Sequence, residues 1–194
     1  MSNLEKQLAF IKEIDKLKYI ERKTRLFNSP RHENDAEHSW HLAMMAVVLT
    51  EHSNQEVDLL KVIKMLLIHD IVEIDAGDTF LYDATKNHDN TDEERVAAQR
   101  IFGILPEAQA QELLALWEEF EAGETKEAKY AKSMDRLEPM MQNASNEGGT
   151  WSEFNLHEAQ VRDKTDRIRP GSETLFEYAS GLVDSGLEKG YIKE

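Results

Sequence analysis

Apolar residues recur along this chain at three- and four-residue spacing, and no run alternates between turn residues, so the pattern predicts helices and no strands. Ser2-Asn-Leu-Glu5 reads as a capping box, and Leu4, Leu8, Ile11, Leu17 and Ile20 continue a first helix to about Ile20. Asn34-Asp-Ala-Glu37 opens a second helix through Leu49. In the stretch Lys61 to Asp78, Val62, Ile63, Met65, Leu66, Leu67, Ile68, Ile71, Val72 and Ile74 leave no polar face, which predicts a helix buried on all sides and closed by Gly77. Thr91-Asp-Glu-Glu94 caps a helix to about Phe102, and Pro106 opens another to about Glu121 that Gly123 ends. From Thr125 a helix carries Ala128, Ala131, Met134, Asp135 and Leu137 and is kinked by Pro139, which leaves the Asp135 carbonyl without its helical partner. Trp151 to Val161 reads as a short helix, and Ser172 opens the last, to about Gly186. The expectation is an all-α domain of about seven to nine helices over residues 1–194.

Three ionisable groups sit inside the buried central stretch. With His69 as origin, Asp70 falls at about 100° and Glu73 at about 40° around the helix, so all three share roughly a third of its circumference. Charges in an apolar interior cost several kcal/mol each unless paired or bound to a metal. An imidazole beside two carboxylates suits a divalent cation, while an ion cluster with protonated His69 between Asp70 and Glu73 is the alternative that this segment leaves open. His38 lines up with Leu42, Met45 and Leu49 and points inward, either as a ligand or as a hydrogen-bonded core histidine. His41 lies off that line and reads as a support behind a ligand or as packing; His52 sits at the helix end. His88-Asp89 repeats the dipeptide in a polar loop and is not counted as a metal site.

Composition narrows the chemistry. With no cysteine among 194 residues, there is no disulfide or thiol nucleophile, and any metal must be held by His, Asp and Glu. No stretch has the length of a membrane span and the start has no secretory pattern, so a cytoplasmic protein is expected. A net charge of -15 argues against a nucleic-acid polymer as partner but leaves room for a small phosphorylated substrate. Against that charge, the basic stretch containing Arg22, Arg25 and Arg31 would suit a ligand's phosphate; a solvated loop making surface ion pairs is the alternative. A second basic patch, Arg162 to Gly171, lies between the last two predicted helices.

In order, the candidates are His38, His69-Asp70 and Asp135. This His…His-Asp…Asp series resembles the HD-domain superfamily of metal-dependent phosphohydrolases. Arg31-His-Glu33-Asn-Asp-Ala-Glu37-His38-Ser39 and His69-Asp70-Ile-Val-Glu73-Ile-Asp-Ala-Gly77-Asp78 are similar to the branch that contains bacterial 5'-deoxynucleotidases and oxetanocin-like HD proteins. The resemblance implies that His38, His69, Asp70 and Asp135 hold one divalent cation (Mn, Co, Fe, Ni, Zn or Mg) in a core within about residues 30–140. It implies catalytic roles for Glu73 and Asp78, a phosphate contact at Arg22, hydrolysis of a small phosphomonoester such as a nucleoside 5'-monophosphate, and a homodimer. The chain departs from the branch in carrying Lys23 where its nucleotidases have tryptophan, and the spacing from Arg22 to His38 is one residue longer, which makes Arg25 a substitute for Arg22. A pyrophosphohydrolase, or a regulatory protein with a structural metal, are the other expectations. Residues 151–194 are expected to pack on the core as further helices.

Overall fold

The computed structural model describes residues 1–82 and 91–194; His88-Asp89, with most of the loop expected before Thr91, lies outside the described residues. Among the described residues there are ten helices, eight of them nine residues or longer. In chain order they are α1 (Asn3–Ile14), α2 (Asp35–Val48), α3 (Leu59–Ile68), α4 (Glu73–Ala76), α5 (Thr91–Phe102), α6 (Glu107–Ala122), α7 (Lys126–Ser145), α8 (Gly149–Glu153), α9 (Glu158–Asp166) and α10 (Glu173–Glu188). The fold is all-α, with one small hairpin of β1 (Glu21–Arg25) and β2 (His32–Asn34).

Capping chemistry sets the helix starts. Ser2 Oγ accepts from the Glu5 N–H while the Glu5 carboxylate accepts from the Ser2 N–H, and Asn34 and Glu37 repeat this reciprocal pair at the start of α2. Each such cap is worth about 1 kcal/mol. At the far end of α6, Gly123 takes the left-handed conformation at φ 63° that glycine adopts without strain. Helix α7 runs through Pro139 to Ser145, so the proline removes one backbone bond without ending the helix.

Helix α3 packs against α2, α6 and α7, with Val62, Met65 and Leu66 fully buried. The predicted continuous helix from Lys61 to its close at Gly77 is corrected here: α3 ends at Ile68, His69–Val72 form a 3₁₀ turn, and α4 follows. Side chains enter the backbone ladder at this point, a recognised cause of helix distortion. His69 Nδ1 lies 2.8 Å from the Leu66 carbonyl, and Trp117 Nε1 donates to the His69 carbonyl at 3.2 Å. Nor is the segment buried all round, since Leu60 and Leu67 are exposed on α3.

Three other expectations change. The basic stretch after α1 is an antiparallel hairpin, with Glu21 opposite Asn34 and Arg25 opposite His32 and an irregularity between. The single helix expected over Trp151 to Val161 is two, α8 and α9, separated where Asn155 adopts a positive φ of 53°. Leu4, Leu8 and Ile11 share a face of α1 as predicted, yet that face is exposed; Phe10 and, beyond α1, Leu17 make the buried contacts. No helix among the described residues is long and apolar enough to cross a membrane.

Candidate metal centre

The four expected ligands come from three separate elements. The α2 cap fixes where that helix begins, and one turn later His38 enters the core, fully buried. His69 and Asp70 lie on the 3₁₀ turn and Asp135 on α7. Donor atoms of His38, His69 and Asp135 all lie within 4.8 Å of one another. Asp135 Oδ1 is 3.2 Å from His38 Nε2 and 3.7 Å from His69 Nε2. Asp70 completes the group, its Oδ1 3.1 Å from His69 Nε2 and its Oδ2 3.9 Å from His38 Nε2.

Both rings are held from behind. The Leu66 carbonyl can only accept, so Nδ1 of His69 carries a proton and its Nε2 faces the cluster, where this buried nitrogen has no hydrogen-bond partner. His38 Nδ1 faces Glu33 Oε2 at 3.3 Å and Glu138 Oε2 at 3.4 Å, which directs its Nε2 toward Asp135. Ligating histidines are commonly oriented by such outer carboxylates and carbonyls. The electrostatics ask for a cation as well. Burial opposes a proton on His69, but Asp70 and Asp135 outweigh it and raise its pKa to about 9. Burial opposes the Asp70 charge too, yet His69 and Arg22 bring its pKa down to about 2. Two imidazoles and two carboxylates with converging donors therefore fit a divalent first-row cation, which would take the place of those protons.

Beside this group lies a second one, in which Asp35, Glu73 and Asp78 bring carboxylate oxygens within 4.8 Å of one another. Gly77 makes it possible: at φ 75° and ψ 152° it ends α4 and turns the chain so that Asp78 faces back. Arg22 of β1 stands between the two groups. Its Nη1 donates to Asp70 Oδ2 at 2.9 Å and to Asp35 Oδ1 at 3.1 Å, and lies 4.0 Å from Asp78 Oδ1. Burial raises the pKa of Glu73 well above the usual carboxylate range, and Asp70 and Asp35 add to the effect. Asp35 is pushed to about 6, by burial first and then by Asp70.

The hairpin arginines divide. Arg22 faces the acids, whereas Arg25 pairs with Glu153 at 3.3 Å and Arg31 with Glu37 at 2.9 Å, both on the surface. A cavity of about 1220 Å³ is lined by Arg22, Asp70, Glu73, Asp78 and Asp135, and neither Arg25 nor Arg31 reaches it. Asp35, Glu33 and Glu138 were not singled out for roles by sequence reasoning. A signal was present for one of them: Glu138 follows Asp135 by three residues, as His41 follows His38, and His41 Nδ1 lies 3.1 Å from Glu138 Oε1.

The HD domain family model matches residues 14–176. The chain belongs to the HD-domain family. Among solved structures, this HD domain is similar to a predicted metal-dependent phosphohydrolase from Magnetospirillum magnetotacticum MS-1, at 50% identity and a TM-score of 0.95, covering 100% of this chain and 97% of that one. It is 30% identical over 137 residues to the 5'-deoxynucleotidase HDDC2 of Bos taurus, covering 70% of this chain. The aligned part spans 65% of the length of that cattle protein. The HDDC2 of Mus musculus is 29% identical over 189 residues, 94% of each chain.

Proposed function

We propose that this HD-domain protein is a metal-dependent phosphohydrolase that releases phosphate from small phosphomonoesters, nucleoside 5'-monophosphates foremost. The observation that carries this reading is the convergence of two histidines and two aspartates, three of which, His69, Asp70 and Asp135, line a cavity that also holds Arg22, Glu73 and Asp78, with His38 buried behind them. A purely structural metal has no need of acids beyond its ligands around an open cavity. The similarity to HDDC2 proteins supports a nucleotide substrate.

His38, His69, Asp70 and Asp135 hold the cation, which when bound supplies Lewis acidity for phosphoryl transfer. Arg22 steers a phosphate oxygen through charge-assisted hydrogen bonds, the role shared out at sequence level among Arg22, Arg25 and Arg31. Water attacks phosphorus as the ester P–O bond breaks, so one proton must leave the water and one must reach the departing alkoxide. Asp78 accepts the first, and Glu73, whose pKa burial raises above the usual carboxylate range, supplies the second. We further read the protein as cytoplasmic and as a homodimer; the exposed Leu4, Leu8 and Ile11 of α1 support an apolar contact with a second copy. Light scattering on the purified chain would return twice the monomer mass.

The test is a phosphate-release screen of nucleotides and sugar phosphates on chelated protein refilled with each divalent metal in turn. Release from at least one nucleoside 5'-monophosphate is expected. With metal bound and no phosphate released from any compound, the structural-metal reading stands instead.

A further inference from the structure

The cavity has a second charged wall that the proposed chemistry does not use. Lys132 and Arg136 follow one another by four residues on α7, and Lys164 near the end of α9 is followed three residues later by Arg167, the C-cap of that helix, so each pair presents one side. All four line the cavity that holds Arg22 and Asp70. Lys164 and Arg167 belong to the second basic patch of the sequence, so the patch is drawn into the same space as the metal cluster although more than a hundred residues separate it from Arg22.

These cations are poorly neutralised for their burial. The Lys164 side chain is 18% exposed and the Arg136 side chain 22%. Lys164 and the more exposed Arg167 share one partner, Asp163, at 3.0 and 3.7 Å. Arg136 Nη1 sits 2.9 Å from Asp135 Oδ2, on the oxygen turned away from the two histidines. Half-buried Lys132 has no ion-pair partner among the described residues; its ammonium lies 4.6 Å from the Phe120 ring centroid. Glu94 and Glu121 line the same cavity, but neither forms an ion pair with Lys132 among the described residues. An unpaired half-buried lysine beside two cations that share a single carboxylate forms a site for an anion. The space is also generous: about 1220 Å³, against roughly 300–1,000 Å³ for a drug-sized ligand's pocket.

We propose that the α7/α9 wall binds a second phosphate group, one that is not cleaved. The substrate is then a nucleotide carrying two separate phosphates, the first presented to Arg22 and the acid groups and the second held by Lys132, Lys164 and Arg167, with Arg136 between the two ends. This rests on the phosphohydrolase reading for the first phosphate, whereas the wall itself is a statement about binding. A nucleoside 3',5'-bisphosphate has this chemistry. A nucleoside 5'-diphosphate carries its second phosphate next to the first and does not span the cavity in the same way.

The experiment compares a nucleoside 5'-monophosphate, its 3',5'-bisphosphate and its 5'-diphosphate on the metal-loaded full chain, by phosphate release and by titration calorimetry. For the bisphosphate, kcat/KM at least about tenfold above the monophosphate is expected, the scale of one charge-assisted hydrogen bond. In Lys164→Ala and Arg167→Ala, and most in the double variant, that ratio falls toward one. An equal preference for the diphosphate would place the second phosphate beside the first and overturn the proposal, as would a wild-type ratio near one or a ratio unmoved in the double variant. If no compound releases phosphate, the phosphohydrolase reading fails by itself and calorimetry decides the wall: tighter binding of the bisphosphate that the double variant loses supports it, and equal binding of all three overturns it.

Discussion

The two acid groups on either side of Arg22 are built from the same functional group and behave in opposite ways. Asp70 and Asp135 are buried, yet their pKa values are driven down, Asp70 to about 2, because His69, His38 and arginines stand against them. Asp35 and Glu73 are driven up, Asp35 to about 6, because burial is reinforced there by other carboxylates. Burial alone raises an acid's pKa; what sets the sign is the neighbour. On the proposed reading, the first group stays anionic and holds a cation, and the second holds and passes protons.

Removing a ligand should break this contrast most severely. His38→Ala, His69→Ala, Asp70→Ala and Asp135→Ala are each expected to lose metal and turnover together, and to destabilise the fold by about 3–5 kcal/mol as the remaining charges lose a buried partner. Elemental analysis with calorimetry checks this; a variant that keeps full metal content and the wild-type melting temperature does not belong to the metal group. Next in size, Glu73→Ala should keep its metal and fold while kcat falls about 10²- to 10⁴-fold. Asp78→Ala should follow it, and a metal-replete Glu73→Ala protein turning over within a few-fold of wild type would sink the division of labour.

The contrast is sharpened from behind by Glu33 and Glu138. Glu138→Gln and Glu33→Gln leave every ligand in place, yet metal affinity should drop about 10- to 100-fold as the His38 ring loses its orienting carboxylates. Unchanged affinity in a competition titration would mean that packing alone holds the ring. The smallest effect concerns Glu94, whose folded pKa is raised from 4.5 to about 7, by burial first and then by Glu121 and Asp70. Between those two values the folded protein keeps a proton that the unfolded chain has lost, so stability falls as pH rises through this window. Glu94→Gln should flatten that slope and, since the residue is partly solvent-screened, add only a few degrees to Tm at pH 8. Parallel melting curves against pH for the two proteins would contradict it.

What the sequence made legible follows from the range of each signal. Capping boxes act over three residues, so the starts of α1 and α2 and the end of α6 were readable from Ser2, Asn34 and Gly123. Periodicity shows which residues share a face, not whether anything covers it, and so the α1 stripe was found but its exposure was not. The hairpin escaped for a related reason. Burial does alternate along β1, with Thr24 inward between the more exposed Lys23 and Arg25, but the residues carrying the alternation are charged or polar and give no hydrophobic signal. The break at His69 depends on Trp117, 48 residues later, reaching a backbone carbonyl. Asp35 and Glu33 stood inside a motif already noticed, and only the arrival of Arg22 and His38 beside them gives them partners.

One small clasp bears on the order in which this protein would become competent. The Asn146 amide donates to the Leu26 carbonyl at 2.9 Å and its oxygen accepts from the Ser29 N–H at 3.1 Å, fastening the hairpin turn to the end of α7. That closure spans 120 residues of sequence. Helices form from neighbours within microseconds, whereas contacts this distant must first overcome the entropy of a long loop. The arginine carried by β1 is then expected to be positioned late, after the helices it leans on, so a newly made chain would pass through a helical stage in which the proposed phosphate contact is not yet settled. During refolding, far-UV circular dichroism would recover ahead of activity.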